Sequence, residues 1–262
     1  MNSQDVGRYW ERNAETWTRL SRAGHDVYRD ALNTPAFLAL LPDVTGLDGL
    51  DIGCGEGTNT RHVATRGARM SGIDIAPTFI SHAIEAETAD PLGITYRVCD
   101  ASRLPLAEGS FDFAVAFMSM MDMPDQQEVL LETARVLRPG GFFQFSILHP
   151  CFVPTGRRTL RDDDGNTYGV EITDYFTRTH GDVERWSFGS ARRAGITDIE
   201  PFEVPRFHRT LGDWVAMIVA AGLVIEAMGE PCPTEETALA FPDVADNRIA
   251  PIFLHIRAAK PR

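Results

Sequence analysis

Residues Asp51-Ile52-Gly53-Cys54-Gly55-Glu56-Gly57 stand where a short apolar run gives way to a helix-forming stretch. Glycines in such a place let the backbone turn sharply and approach a ligand closely. A carboxylate follows at Asp74, after the next apolar run. That is roughly the 20-residue spacing at which an acid accepts hydrogen bonds from both hydroxyls of a ribose. Asp74 can also act as a plain helix cap ahead of Pro77. Asp100-Ala101 closes a third apolar run in the same way, so both acids belong on one carboxyl edge of a sheet, where ligands of open α/β proteins bind. An acid there can accept from an adenine amino group while the following N–H donates to a ring nitrogen; a solvated turn is the plainer alternative. A nicotinamide loop wants its third glycine where this chain has Thr58, which counts against a dehydrogenase.

Elements that position these groups alternate from Leu47 onward, as in a parallel sheet with crossover helices. Strands are expected at 50–52, 69–73, 94–99, 111–117 and 142–148, with helices at 58–66, 78–87 and from Pro124-Asp125 to Leu137. Pro139-Gly140-Gly141 is expected to close the last of these helices. Residues 149–209 break the rhythm with Gly and Pro clusters and alternating segments at 168–176 and 183–188, the pattern of an antiparallel insertion. A helix at 211–221 and strands at 223–228 and 252–256 complete the expected core, and residues 5–32 suit one or two amphipathic helices.

Four segments together carry a family resemblance: LDIGCGEGT, GIDIA, CDASRLPLAEGSFD and LRPGG. Residues 47–148 resemble the methyltransferase domain of the ubiquinone and menaquinone biosynthesis type, a class I S-adenosylmethionine-dependent fold. The resemblance implies an α/β, Rossmann-like sheet of seven strands, mostly parallel with the last antiparallel, flanked by helices. It implies S-adenosylmethionine as cofactor, with S-adenosylhomocysteine as product. By that analogy Gly53, Gly55 and Gly57 flank the methionine moiety, Asp74 takes the ribose, and Asp100 and Ala101 take the adenine, with Asp51 and Ile75 as further cofactor-binding candidates. Met118, in the methionine run after the fourth strand, is a further candidate, although a plain core stripe is as good a reading. Many relatives carry two histidines after that strand; here the chain reads Phe117-Met118-Ser119-Met120-Met121-Asp122, so no acceptor role carries over.

The expected domains are an N-terminal helical lid (1–46), a cofactor core (47–148 and 210–262) and an acceptor-binding insertion (149–209). Tyr9, Trp10, Trp17 and Tyr28 are lid candidates over the cofactor, or else staples holding helices to the core. Methyl transfer is an in-line displacement in which positioning supplies much of the acceleration. A base is needed only when the acceptor must lose a proton. His149, after the fifth strand, and His208, where the insertion rejoins the core, are the candidate bases. Arg206 can fork onto an anionic acceptor or pair on the surface; Tyr175, Phe176, Trp186 and Phe188 offer either an aromatic wall or a small core. The expected reaction is methylation of an oxygen or nitrogen atom of a small, planar or aromatic metabolite. Two alternatives remain: a cofactor-binding protein without catalysis, and, less favoured, a nicotinamide-dependent oxidoreductase.

Composition narrows the partners. With 37 acidic against 25 basic residues and a net charge of −12, the chain opposes phosphate backbones, and nucleic acid is not expected. No membrane-spanning apolar run or signal-peptide order is visible, so a cytoplasmic protein without membrane insertion is expected; a homodimer is compatible. The cysteines, Cys54, Cys99, Cys151 and Cys232, form no C-x-x-C pair, so no metal site is expected. Lys260 is the only lysine, which excludes a catalytic one.

Overall fold

A computed structural model describes residues 1–262. The chain opens with α1 (Ser3–Arg22), whose N-terminus is closed by a capping box between Asn2 and Asp5. A short π-helical segment, Arg29–Asn33, leads into α2 (Thr34–Leu40). No helix is long and apolar enough to cross a membrane.

The core then runs β1 (Asp48–Ile52), α3 (Thr58–Ala64), β2 (Arg69–Asp74), α4 (Pro77–Ala89), β3 (Thr95–Val98), β4 (Phe111–Phe117), α5 (Gln126–Val136) and β5 (Leu137–Leu148). Next come two hairpins, β6 (Gly156–Arg161) with β7 (Thr167–Thr173), and β8 (Asp182–Trp186) with β9 (Phe202–Arg206), the second enclosing the short α6 (Gly189–Arg193). The chain ends with α7 (Leu211–Ala220), β10 (Val224–Gly229), α8 (Glu235–Ala240) and β11 (Phe253–Ala259).

Seven strands form one sheet in the order β10-β11-β5-β4-β1-β2-β3, and only β11 runs against the others. Both faces are covered, which is why β4 reads as an apolar run broken only by Asp112, FDFAVAF. Ala114 and Ala116 point into the core shared with Phe143, Phe145, Trp214 and Ile218. Phe113, Val115 and Phe117 point into the opposite core with Phe37, Val63 and Ile80.

Strand order reverses between β1 and β4, the switch point at which such sheets leave a crevice beyond their carboxyl ends. Over it lie α1 and the β8–β9 hairpin. Asn13 on α1 donates to the Glu203 carbonyl of β9 at 2.9 Å, and Glu11 accepts from the Thr78 N–H and hydroxyl at the start of α4. The N-terminal helix is therefore fastened to the hairpin on one side and to the core on the other.

One boundary differs from expectation. Pro139-Gly140-Gly141 does not close a helix: α5 ends at Val136 and the chain passes straight into β5, which starts at Leu137. Its pairing slips so that Phe111 faces Leu137 while Phe113 faces Phe142, and the Pro-Gly-Gly segment is the bulge that absorbs the excess.

Candidate active site

The loop after β1 is tied back onto the sheet by its own backbone, since the Gly53 and Cys54 N–H groups both donate to the Ile73 carbonyl, at 2.8 and 2.9 Å. Gly53 is in the left-handed region at φ 73°, and a Cβ there would fall 2.4 Å from the Ser119 Cβ, so no larger residue fits. Gly55, also left-handed, has nothing within 4 Å of where its Cβ would be; that space is the cavity itself. Gly57 caps α3 and packs toward Tyr96 instead, outside the cavity lining.

Asp74 ends β2 with both oxygens engaged, accepting the Gly55 N–H at 2.9 Å and the Ala76 N–H at 2.9 Å. The bond to Ala76 closes a local turn ahead of α4, not a helix cap, since α4 has Ala76 at its N-cap and no side-chain cap, and Asp74 lines the cavity. Burial pushes its carboxyl up to about 6, against the backbone donors that favour the charged form. Asp100, beyond β3, accepts from the Ser102 N–H and hydroxyl through Oδ1, leaving Oδ2 without a protein partner. Asp51, near the end of β1, accepts the Thr60 hydroxyl at 2.6 Å on Oδ2, while its buried Oδ1 has no partner. Burial pushes Asp51 up to about 7, with Asp74 and Glu56 adding to the rise.

These groups surround a cavity of about 450 Å³. Of the expected residues, Asp51, Gly53, Gly55, Asp74, Ile75, Asp100, Ala101 and Met118 line it from the core. Trp17 and Tyr28 reach it from the N-terminal segment, and Trp186 and Arg206 from the second hairpin. Eight carboxylates but only two cations, Arg29 and Arg206, line this space, so it favours a positively charged occupant.

Other expectations are corrected. His149 is buried away from the cavity; its Nδ1 accepts the Cys151 N–H, which leaves Nε2 to donate to Glu230 at 2.8 Å. His208 donates from Nε2 to the Tyr175 carbonyl at 2.8 Å, is held below its ordinary value chiefly by burial, and is also outside the lining. Neither lines the cavity. Tyr175 does not join Trp186, because its hydroxyl accepts the Leu211 N–H at the start of α7. Tyr9 stacks under the Arg12 guanidinium on α1, outside the cavity.

Sequence reasoning missed several lining groups. Arg29 donates to Glu56 at 2.9 Å, Ser21 donates to the same oxygen, and Thr58 donates to the other, so the N-terminal segment is latched onto the glycine loop. Asp122, on the 3-10 turn Met120–Asp122, lines the cavity at 7% exposure. Burial pushes its carboxyl well above the usual range, with Arg206 opposing and Glu184 reinforcing. The run Met118-Ser119-Met120-Met121-Asp122 held no sequence signal for this, because burial of an acid there depends on the distant β9.

Residues 50–145 match a family model described as a methyltransferase domain. Methyltransferase GfsG of Streptomyces halstedii is 38% identical over 95 residues, 35% of this chain and 34% of that protein. Demethylmenaquinone methyltransferase of Tropheryma whipplei is 30% identical over 140 residues, 53% of this chain and 57% of that protein. The chain thus spans between a third and just over half the length of these curated relatives. The crystal structure of an S-adenosylmethionine-dependent methyltransferase from Mesorhizobium loti superposes with a TM-score of 0.69 at 29% identity, covering 86% of this chain and 96% of that one. Residues 50–145 are therefore a domain of the class I S-adenosylmethionine-dependent methyltransferase family.

Proposed function

We propose that the chain transfers a methyl group from S-adenosylmethionine to an oxygen or nitrogen atom of a small, aromatic-bodied acceptor. The carrying observation is the order of groups along one rim: Asp100 after β3, Asp74 at the end of β2, and the Asp51–Gly55 stretch at β1, all lining one cavity. The chemistry of these donors and acceptors fits the cofactor. Asp51 Oδ1 is a buried oxygen without a partner, suited to an ammonium, and the excess of carboxylates suits a molecule that also carries a sulfonium. Asp74 would hold the ribose, Asp100 and Ala101 the adenine, and the open space at Gly55 the amino-acid end.

When bound, the cofactor supplies an electrophilic methyl carbon: a nucleophile's lone pair forms the new bond as the carbon–sulfur pair departs on sulfur. The chain's own task is to position the acceptor and exclude water. In this reading the N-terminal segment 1–46 is a lid and residues 149–209 form the acceptor side, because Trp17, Tyr28, Trp186 and Arg206 line the cavity opposite the rim. The cavity continues beyond β4 to Met121 and Asp122, which favours transfer over a binding-only role, for which a closed wall would serve. The acid-rich lining favours a small-molecule partner over nucleic acid.

Titration calorimetry with S-adenosylmethionine and S-adenosylhomocysteine tests the proposal. Both should bind, and Asp74→Ala should weaken them by about 1–3 kcal/mol, the scale for leaving buried polar partners unmatched. Absence of binding to the folded protein at millimolar cofactor would refute it.

A further inference from the structure

The cavity extends past the groups that suit the cofactor. Adenine, ribose and amino-acid positions take the ends of β3, β2 and β1; the next strand across the sheet is β4, whose end runs into Met118–Asp122. This is the side on which an acceptor must meet the methyl group. Asp122 lies there, more than nine-tenths buried, and no protein group donates a hydrogen bond to its carboxyl.

Its charged neighbours come from β8 and β9. Arg206 donates to Glu184 at 2.8 Å and also to the Val153 carbonyl, so its positive charge is already matched by Glu184. Asp122 is left as a carboxyl without a cation of its own. The turn that carries it is fixed: Gln126 donates to the Met120 and Phe207 carbonyls, and the Phe207 N–H donates to the Met121 carbonyl. On the cavity's roof, Trp17 of α1 packs edge-on against Trp186 with ring centres 5.4 Å apart, and both line the same space.

We propose that Asp122 is the acceptor-binding carboxylate and that the acceptor is a primary or secondary amine on an aromatic or apolar body, seated between this carboxylate and the Trp17–Trp186 roof. This deepens, and rests on, the methyltransferase reading. An anionic acceptor would meet the like charges of Asp122 and Glu184. A neutral hydroxyl offers the carboxyl a hydrogen bond but no charge to pair with. An amine supplies the missing cation, and its ammonium form is attracted to indole faces.

Chemically, the pair holds one transferable proton. The ammonium N–H passes its proton to the Asp122 oxygen, giving neutral amine and carboxylic acid and freeing the nitrogen lone pair for attack. Burial, which raises a carboxyl's hold on its proton and weakens an ammonium's, favours that neutral pair. The methylated nitrogen then carries the positive charge away, and the carboxyl returns its proton to solvent.

The test uses full-length protein saturated with S-adenosylhomocysteine, titrated in a calorimeter with phenethylamine and tryptamine and with the matching alcohols, 2-phenylethanol and tryptophol. Each amine should bind roughly tenfold or more tighter than its alcohol, the scale of a hydrogen bond to a buried charge. Asp122→Asn should bring that ratio below about threefold while S-adenosylhomocysteine affinity stays within about twofold. Asp122→Ser repeats the arm with a smaller neutral side chain, and Trp186→Ala should weaken both members of each pair alike. Equal affinity for amine and alcohol, no binding of either, or a preference that survives in both Asp122 variants overturns the proposal. Failure of the parent protein to bind S-adenosylhomocysteine would instead refute the methyltransferase reading itself.

Discussion

Acidification should loosen the cofactor's amino-acid end, and Asp51 sets the range. Burial comes first among the causes that push its carboxyl up to about 7, so near neutrality the ligand-free site is about half protonated. An ammonium against its unpartnered Oδ1 favours the carboxylate, and binding then expels a proton wherever the free site holds one. Linkage gives the size: affinity falls by up to about tenfold per pH unit below about 7, or roughly thirtyfold by pH 5.5, and is flat above. Asp74, pushed up to about 6, adds a second slope at lower pH to the extent that ribose hydroxyls prefer its ionised form. For folding the same shifts act in the opposite sense. A carboxyl raised above its unfolded value stabilises the fold below that value and loses the contribution as pH rises through the folded one. Mild acidification should therefore firm the ligand-free protein while it weakens cofactor binding. Calorimetry with S-adenosylhomocysteine from about pH 5 to 8, in two buffers of different ionisation enthalpy, counts the protons released. Asp51→Asn should remove the upper slope. A flat parent profile, or a variant as steep as the parent, would refute the assignment of the ammonium to Asp51.

Arg29→Ala should destabilise the fold by about 2–3 kcal/mol in urea titration, below the usual cost of breaking a buried ion pair because Ser21 and Thr58 still donate to Glu56. Pairing Arg29→Met with Glu56→Gln should recover much of that loss, and no recovery would show that Arg29 stabilises by some route other than the latch. His149→Ala and His208→Ala should each leave methyl-label transfer into a metabolite extract within about threefold of the parent; a loss near a hundredfold in either would reinstate that histidine as a base.

What was legible in the sequence follows how far apart the cooperating residues are. The glycine loop, Asp74 and Asp100 are each set by the element directly before them, and strand, turn and helix signals are local. The extent of β4 was readable for the same reason, since an apolar run broken only by Asp112 is bounded by Gly109-Ser110 on one side. The acceptor side is built differently. Trp17 and Trp186 meet across most of the chain, and periodicity in each segment says only that both need a partner. Alternation from Tyr168 to Phe176 suggested one strand carrying Tyr175 toward the wall, but Asp174 adopts a left-handed conformation just after β7 and sends Tyr175 to α7. Histidines drew notice because imidazole titrates near neutrality, yet both are spent in buried hydrogen bonds. Asp122 drew none, because its burial comes from a turn held by Phe207.

The conformation that delivers Asp122 is itself imposed from a distance. Met118 follows β4 at φ 55°, a left-handed geometry that costs a non-glycine residue about 1–2 kcal/mol. Its N–H is held by Ser146 of β5, both carbonyl and hydroxyl lying 3.1 Å away. The Ser146 hydroxyl also accepts from Asn33 at 3.2 Å, and Asn33 accepts from His255 of β11 at 2.8 Å. Burial pushes His255 down to about 4, so near neutrality it is an uncharged donor and the relay needs no counterion. Three separate segments thus fix one backbone angle. That angle turns the chain so that the Ser119 hydroxyl donates to the Ile52 carbonyl under Gly53, and Asp122 then falls beneath β9. The glycine loop and the acceptor carboxylate are set by opposite ends of a single five-residue turn, so a change that shifts the acceptor side must also move the floor under the cofactor.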